Sequence, residues 1–211
     1  MNGRRSVLVL GPHTDDGELG CGGSIARWLD EGHAVAYAVF SSCRRSVPEG
    51  FPEDVLEHEL REATRRLGLD PDRDVELLDY EVREFSGHRQ PILEDLVRLR
   101  RERDPDLVVL PATTDVHQDH ATISLEGIRA FKQRSILGYE EPWNTIRFSA
   151  NAFETLEQQH LRTKIHALAA YESQGHRDYF REDFVRSLAV TRGVQAGVGL
   201  AEAFEVIRWR L

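Results

Sequence analysis

The chain has 211 residues, of which 40% are hydrophobic and 30% charged, and a formal net charge of −9 at pH 7. That composition fits one compact domain over residues 1–211 with a sizeable core, and its acidity argues against a general nucleic-acid or anionic-membrane binder, which needs a basic surface. Cys21 and Cys43 are too few for a disulfide framework or a thiolate metal site.

The first element is Ser6-Val7-Leu8-Val9-Leu10, an apolar run too short for a helix and ended by Gly11-Pro12, as expected of a strand buried on both faces. Its exit holds His13, Asp15 and Asp16. Gly17, Gly20, Gly22 and Gly23 then let the backbone turn, before a helix over residues 24–31 that stops at Gly32. Residues 34–40 predict a second strand, which leaves through Arg44 and Arg45 into a Pro- and Gly-rich loop. From Glu53 onward, Val55, Leu56, Leu60, Ala63 and Leu67 share one helical face, with Gly68 as the stop. Residues 75–78 predict a third strand. Pro91 suits the first turn of a helix striped by Ile92, Leu93, Leu96, Val97 and Leu99 and broken at Asp104-Pro105. Leu107-Val108-Val109-Leu110 is the next strand, and Ile123, Ile128 and Phe131 mark a helix after it. Farther on, residues 136–148 predict short strands or a loop over the site, residues 154–172 and 180–190 two helices, and residues 204–209 a terminal strand. The apolar run after Arg4 and Arg5 is too short for a signal peptide, and no stretch approaches the ~20 residues that span a bilayer, so a soluble cytoplasmic protein is expected.

Strands and helices alternate, so the expected fold is α/β: a Rossmann-like, mostly parallel sheet with helices on both faces. In such sheets ligands bind at the carboxyl ends of the strands. Two clusters fall there, His13-Thr14-Asp15-Asp16 and His117-Gln118-Asp119-His120. Imidazole nitrogens and carboxylate oxygens are ordinary zinc ligands. His13, Asp16 and one of His117 and His120 are therefore expected to meet on one ion, with a position left for water. The surplus residues have uses. Asp15 can take a proton from the water, the remaining histidine can steady an oxyanion or protonate a leaving amine, and Asp119 can orient that histidine from behind. Taken singly, the first cluster is as well explained by a helix N-cap with an acidic first turn, and His117 and His120 are better explained as surface or capping residues than as ligands. The pair, on two strand exits, favours a metal.

Gly11-Pro12-His13-Thr14-Asp15-Asp16 with Gly22-Gly23, followed by His117-Gln118-Asp119-His120, resembles the two signature motifs of the LmbE-like, or PIG-L, N-deacetylases. The resemblance extends to Glu59-Leu60-Arg61-Glu62-Ala63, Tyr171-Glu172-Ser173-Gln174 and Ala201-Glu202-Ala203-Phe204. It implies a hydrolase using Zn2+, or another divalent metal, that removes N-acetyl groups from amino sugars and their conjugates. It also implies His13, Asp16 and His120 as ligands, Asp15 as base, His117 as electrophile or acid, and Arg61 as a substrate-binding group. Thr14 stands where the family most often has proline, which loosens the turn but removes no ligand or base. The expected partner is a small N-acetylated sugar or conjugate, with neither nucleic acid nor membrane insertion, and the resemblance admits a homo-oligomer. Two other readings share the same residues. An Fe(II) oxygenase uses two histidines and a carboxylate but has no role for Asp15, and a non-catalytic module would bind metal or a small molecule without releasing acetate. Arg44 and Arg45 suit a substrate phosphate or carboxylate, or plain loop charge. Cys21 and Cys43 are expected as buried apolar groups, and Trp143 and Trp209 in the core or an interface. Substrate choice is expected in loops 41–52, 81–90 and 136–144.

Overall fold

The computed structural model describes residues 3–210. β1 (Ser6–Gly11), β2 (Ala34–Val39), β3 (Val75–Leu77), β4 (Leu107–Pro111) and β5 (Ser135–Tyr139) are parallel neighbours in one sheet. β7 (Ala201–Arg208) is inserted antiparallel between β5 and β6 (Ala152–Thr155), giving the order β3-β2-β1-β4-β5-β7-β6. The helices are α1 (Asp16–Asp30), α2 (Val55–Leu67), α3 (Arg89–Arg103), α4 (Gln118–Ala130), α5 (Gln158–Leu168) and α6 (Glu182–Ala196). The strand order reverses between β1 and β4, and that switch point is where a crevice opens beyond the carboxyl ends.

Alternation along β1 sorts its side chains onto two cores. Val7 and Val9 pack with Val35, Tyr37 and Val109 beneath Ile25 of α1, Leu60 of α2 and Ala167 of α5. Leu8 and Leu10 pack with Phe40 and Leu110 against Ile92 and Leu96 of α3 and Ile123 of α4. Both faces are therefore covered, as the run of apolar residues in β1 requires.

α1 begins at Asp16 rather than after the glycines, and it bends at Cys21, where φ is −148° and ψ is 24°. The glycines serve close approach as much as turning. A Cβ on Gly17 would lie 2.6 Å from Cζ of Tyr37, and one on Gly20 would collide with the Tyr139 ring. The bend frees the N–H groups of Gly23 and Ser24, which donate to the buried Glu202 carboxylate of β7 at 3.0 and 2.6 Å. Lys164 Nζ, from α5, supplies the matching charge at 2.6 Å.

The C-terminal third departs most from the sequence expectation. Residues 154–172 are not one helix: β6 takes the start and α5 begins only at Gln158, because β6 pairs with β7, a partner that no local pattern reveals. α6 runs on to Ala196, and β7 starts at Ala201, before the expected terminal strand. After β5 the chain loops back to the β4 exit, tied there by the Asp115–Thr145 bridge. No described helix is long and apolar enough to cross a membrane.

Candidate metal centre and active-site cavity

β1 delivers His13 to the crevice and α1 starts at once, with Asp15 as its N-cap and Asp16 as its first residue. The His13 N–H donates to Asp16 Oδ2 at 2.7 Å, folding that carboxylate back over the strand exit. On the β4 side His117 caps α4, its Nδ1 accepting the Asp119 N–H at 3.2 Å, which sets His120 in the first turn of the helix. The two exits meet. His13 Nδ1 lies 3.2 Å from His120 Nε2 and 3.3 Å from Asp16 Oδ2, and the last two atoms are 3.4 Å apart.

The backs of both rings explain why these three atoms face one another. His13 Nε2 lies 3.1 Å from Asp119 Oδ2, and His120 Nδ1 lies 2.9 Å from Asp115 Oδ2. A carboxylate can only accept, so each neutral ring carries its proton on the far side and turns a bare lone pair inward. Two lone pairs and a carboxylate oxygen at this spacing repel unless a proton or a metal cation lies among them; burial opposes charging His13, but its neighbours, Asp16 and Asp119 among them, outweigh burial and raise its pKa well above the ordinary value in the metal-free chain. Ligands about 2.0–2.1 Å from a tetrahedral ion stand about 3.3–3.4 Å from each other, so the triangle fits such an ion. Burial opposes ionising Asp16, but in the metal-free chain positive charge on the facing His120 and His13 rings outweighs burial and holds its carboxyl well below the usual range.

Asp15 differs sharply from its neighbour. Its side chain makes no hydrogen bond to a described residue, and burial together with the charge of Asp16 pushes its carboxyl up to about 6. Behind the turn, burial pushes Glu18 up to about 8. Proton counting agrees. Tyr37 accepts from the Gly17 N–H and donates to Glu18 Oε2, while Tyr171 has one proton, which the Thr14 carbonyl takes. The 3.1 Å contact between Tyr171 and Glu18 Oε1 then needs a proton from Glu18.

His117 is half-buried, 4.9 and 4.8 Å by ring centre from His13 and His120. Because its Nδ1 accepts, its neutral form carries the proton on Nε2, and burial with the two neighbouring histidines lowers its pKa. Asp119 stands behind His13, not behind His117 as its place in the sequence suggests. Its Oδ2 also accepts the Arg83 N–H at 2.6 Å, so the carboxylate is already turned away from the His117 ring.

A cavity of about 310 Å³ opens over these groups, walled by Ser46, Arg83, Trp143, Gln174, Arg177 and Tyr179 among others. Arg61 is not part of it. That side chain lies on the exposed face of α2, paired with Asp72, because the buried face of the helix carries Leu56, Leu60, Ala63 and Leu67. Arg44 and Arg45 are held at the surface by Glu57 and Glu81. Cys43 is buried, as expected, but lines the cavity, and Trp143 stacks on Tyr179 at 4.1 Å. Sequence reasoning missed several groups. Asp115 sat in plain view two residues before His117. Glu141 has a buried Oε1 with no partner among the described residues, and burial with Asp16 and Asp115 raises its carboxyl well above the usual range. Like Arg83 and Arg177, it belongs to no motif.

Residues 8–131 match the family model described as PIG-L: GlcNAc-PI de-N-acetylase. The chain belongs to the PIG-L family. A relative called an uncharacterized deacetylase, YaiS of Escherichia coli strain K12, is 30% identical over 177 residues, covering 82% of this chain and 93% of that one. Diacetylchitobiose deacetylase of Thermococcus kodakarensis is 25% identical over 233 residues, covering 98% of this chain and 85% of that one. The conserved protein TT1542 from Thermus thermophilus superposes with a TM-score of 0.81 at 26% identity, over 98% of this chain and 96% of that one. Both His/Asp clusters lie inside the PIG-L match, whereas Glu141, Trp143, Gln174, Arg177 and Tyr179 lie beyond its end.

Proposed function

We propose that the protein is a metal-dependent hydrolase, using zinc, that removes an acetyl group from the nitrogen of an amino sugar or sugar conjugate. PIG-L membership and deacetylase relatives support amide hydrolysis. The observation that carries the reading is the inward-facing triangle of His13 Nδ1, Asp16 Oδ2 and His120 Nε2 beside the unbonded Asp15 carboxylate. His13, Asp16 and His120 would hold the ion, with Asp119 and Asp115 fixing the two rings. When bound, the ion supplies Lewis acidity and lowers the pKa of water.

The remaining steps belong to the chain itself. Asp15 accepts a proton from the attacking water and returns it to the nitrogen as the C–N bond breaks, releasing acetate and the free amine. In the metal-free chain burial and the charge of Asp16 raise this carboxyl, the direction that brings a carboxylate base towards working pH. His117 donates from Nε2 to the carbonyl oxygen as negative charge develops there. The test is acetate release from a panel of N-acetylated amino sugars, followed by mass spectrometry. Release that stops with a chelator and returns with zinc is expected. No acetate from any sugar with zinc present, or release indifferent to metal removal, would overturn the reading.

A further inference from the structure

Glu59 on α2 and Ser173-Gln174 after α5 contribute no ligand to the metal centre, yet the structure brings these two stretches together. Glu59 is buried and accepts from the Ser173 N–H at 2.8 Å and from the Ser173 hydroxyl at 2.6 Å. A serine hydroxyl has one proton. With that proton given to Glu59, the Ser173 oxygen is left to accept, and it does so from Gln174 Nε2 at 3.0 Å. The amide is thereby fixed with its oxygen outward, where Gln174 Oε1 accepts from Arg177 Nε at 2.7 Å. Donation thus runs one way, from Arg177 through Gln174 and Ser173 to Glu59. The Tyr179 hydroxyl accepts from Arg177 Nη1, also at 2.7 Å, and completes the clamp.

The clamp ends in the site cavity, whose wall includes Asp15, Gln174, Arg177 and Tyr179. Arg177 is close enough for its charge to act on Asp15: burial and Asp16 raise that carboxyl, and Arg177 is among the groups that lower it. Even so, the guanidinium makes no ion pair with Asp15 or with any other carboxylate among the described residues, and the acceptors that fix it are neutral. An arginine and a carboxylate that share a cavity close into a two-pronged, charge-assisted pair when nothing restrains them. Such a pair would cover the Asp15 oxygens with N–H donors, and they could no longer take a proton from water. Held at a distance, the cation offsets part of the charge on Asp15 and leaves its lone pairs open.

On the deacetylase reading, which gives Asp15 its role, we infer that Gln174 is a positioning residue: backed by Ser173 and Glu59, it holds the Arg177 guanidinium off the Asp15 carboxylate and keeps the base open to water. Glu59 lies within the family match, whereas Gln174 and Arg177 lie beyond its end.

The experiment measures kcat and zinc content for Gln174→Leu, Arg177→Met and the double variant, on the N-acetylated sugar from which the unaltered protein releases acetate fastest. Gln174→Leu is expected to keep zinc and to lose about tenfold or more in kcat, as the freed guanidinium closes on the base. Adding Arg177→Met to it is expected to raise kcat again, to the level of Arg177→Met alone, because the blocking group is gone. A merely structural clamp predicts the opposite, since two losses in one wall accumulate. Unchanged kcat in Gln174→Leu, or a double variant no faster than Gln174→Leu, overturns the inference while leaving the deacetylase reading intact. Should Gln174→Leu not fold, Tyr179→Phe, which removes the other acceptor at the rim, takes its place in the same comparison. A crystal structure of the zinc-loaded variant decides the placement without any activity: the guanidinium on Asp15 supports the inference, and the guanidinium unmoved overturns it. If no sugar releases acetate, the deacetylase reading fails on its own account, and that crystal structure alone decides whether Gln174 restrains Arg177.

Discussion

Asp15 and Asp16 are adjacent and chemically identical, yet their surroundings separate them. Asp16 is tied by the His13 N–H and faces two imidazoles, whereas the Asp15 side chain makes no hydrogen bond to a described residue and is raised by burial and the neighbouring carboxylate more than His13 and Arg177 lower it. Asp16→Asn should therefore lose zinc, since an amide oxygen is a weaker, uncharged ligand. Asp15→Asn should keep zinc and fold, yet lose ~10² to 10⁴ in turnover, the range for a general base. Metal analysis of both purified variants checks this, and equal zinc loss would make Asp15 a ligand. That His13 and Asp16 would meet one histidine of the second cluster was legible in the sequence, because both clusters follow buried strands and strand exits in such sheets share one edge, whereas the choice of His120 over His117 rested on the family resemblance. Which ring Asp119 supports was not, because that depends on side-chain rotation and on the Arg83 N–H. Arg61 misled because helix periodicity places a face without saying what that face meets. Arg83 and Arg177 lie in segments whose local sequence carries no signal of the wall they form.

The bend in α1 shows how an element can serve both as ligand carrier and as scaffold. Glu202 takes up the N–H groups that the bend frees, and Lys164 neutralises it, with both side chains nearly inaccessible. Lys164→Met removes the cation and strands a buried carboxylate, so destabilisation of about 3–5 kcal/mol is expected in urea unfolding. A loss below about 1 kcal/mol would show that the hydrogen bonds to Glu202 suffice alone. Glu18, on the first turn of the same helix, gives a pH dependence. Its folded carboxyl is raised to about 8, so its contribution to stability is complete below the ordinary glutamate value of about 4.3 and is lost as pH rises towards about 8. The melting temperature of metal-free protein should fall across that window, and Glu18→Gln should flatten the fall. An unchanged slope in the variant would remove Glu18 from the account. Elements with a strong local pattern, β1, α2 and β4, were legible almost to their ends. β6 was not, since its alternation is short and its only partner among the described residues is β7.

At the scale of the molecule, the centre joins two loops that leave the sheet at its switch point, with His13 and His120 separated by 107 positions in the chain. An ion held there binds only the folded arrangement, so zinc at 100 times its dissociation constant should add about 2.7 kcal/mol of stability. Differential scanning calorimetry should show a higher melting temperature with zinc in the unaltered protein and little response in His13→Ala, and a matching response in that variant would place the ion elsewhere. The position of β7 has another consequence, in the timing of synthesis. Glu202 closes a helix whose bend begins at Cys21. A ribosome adding ~5–20 residues per second needs roughly 10–40 s to travel from Ser24 to Glu202. Throughout that interval the nascent chain displays His13 just ahead of, and Asp16 at the start of, a helix with its inner turn unsealed and its sheet lacking the strand between β5 and β6, exposed to proteases and to any metal the cell offers. A pause in translation before residue 201 would thus lengthen the one stage at which the centre's ligands are present without the frame that gives them their spacing.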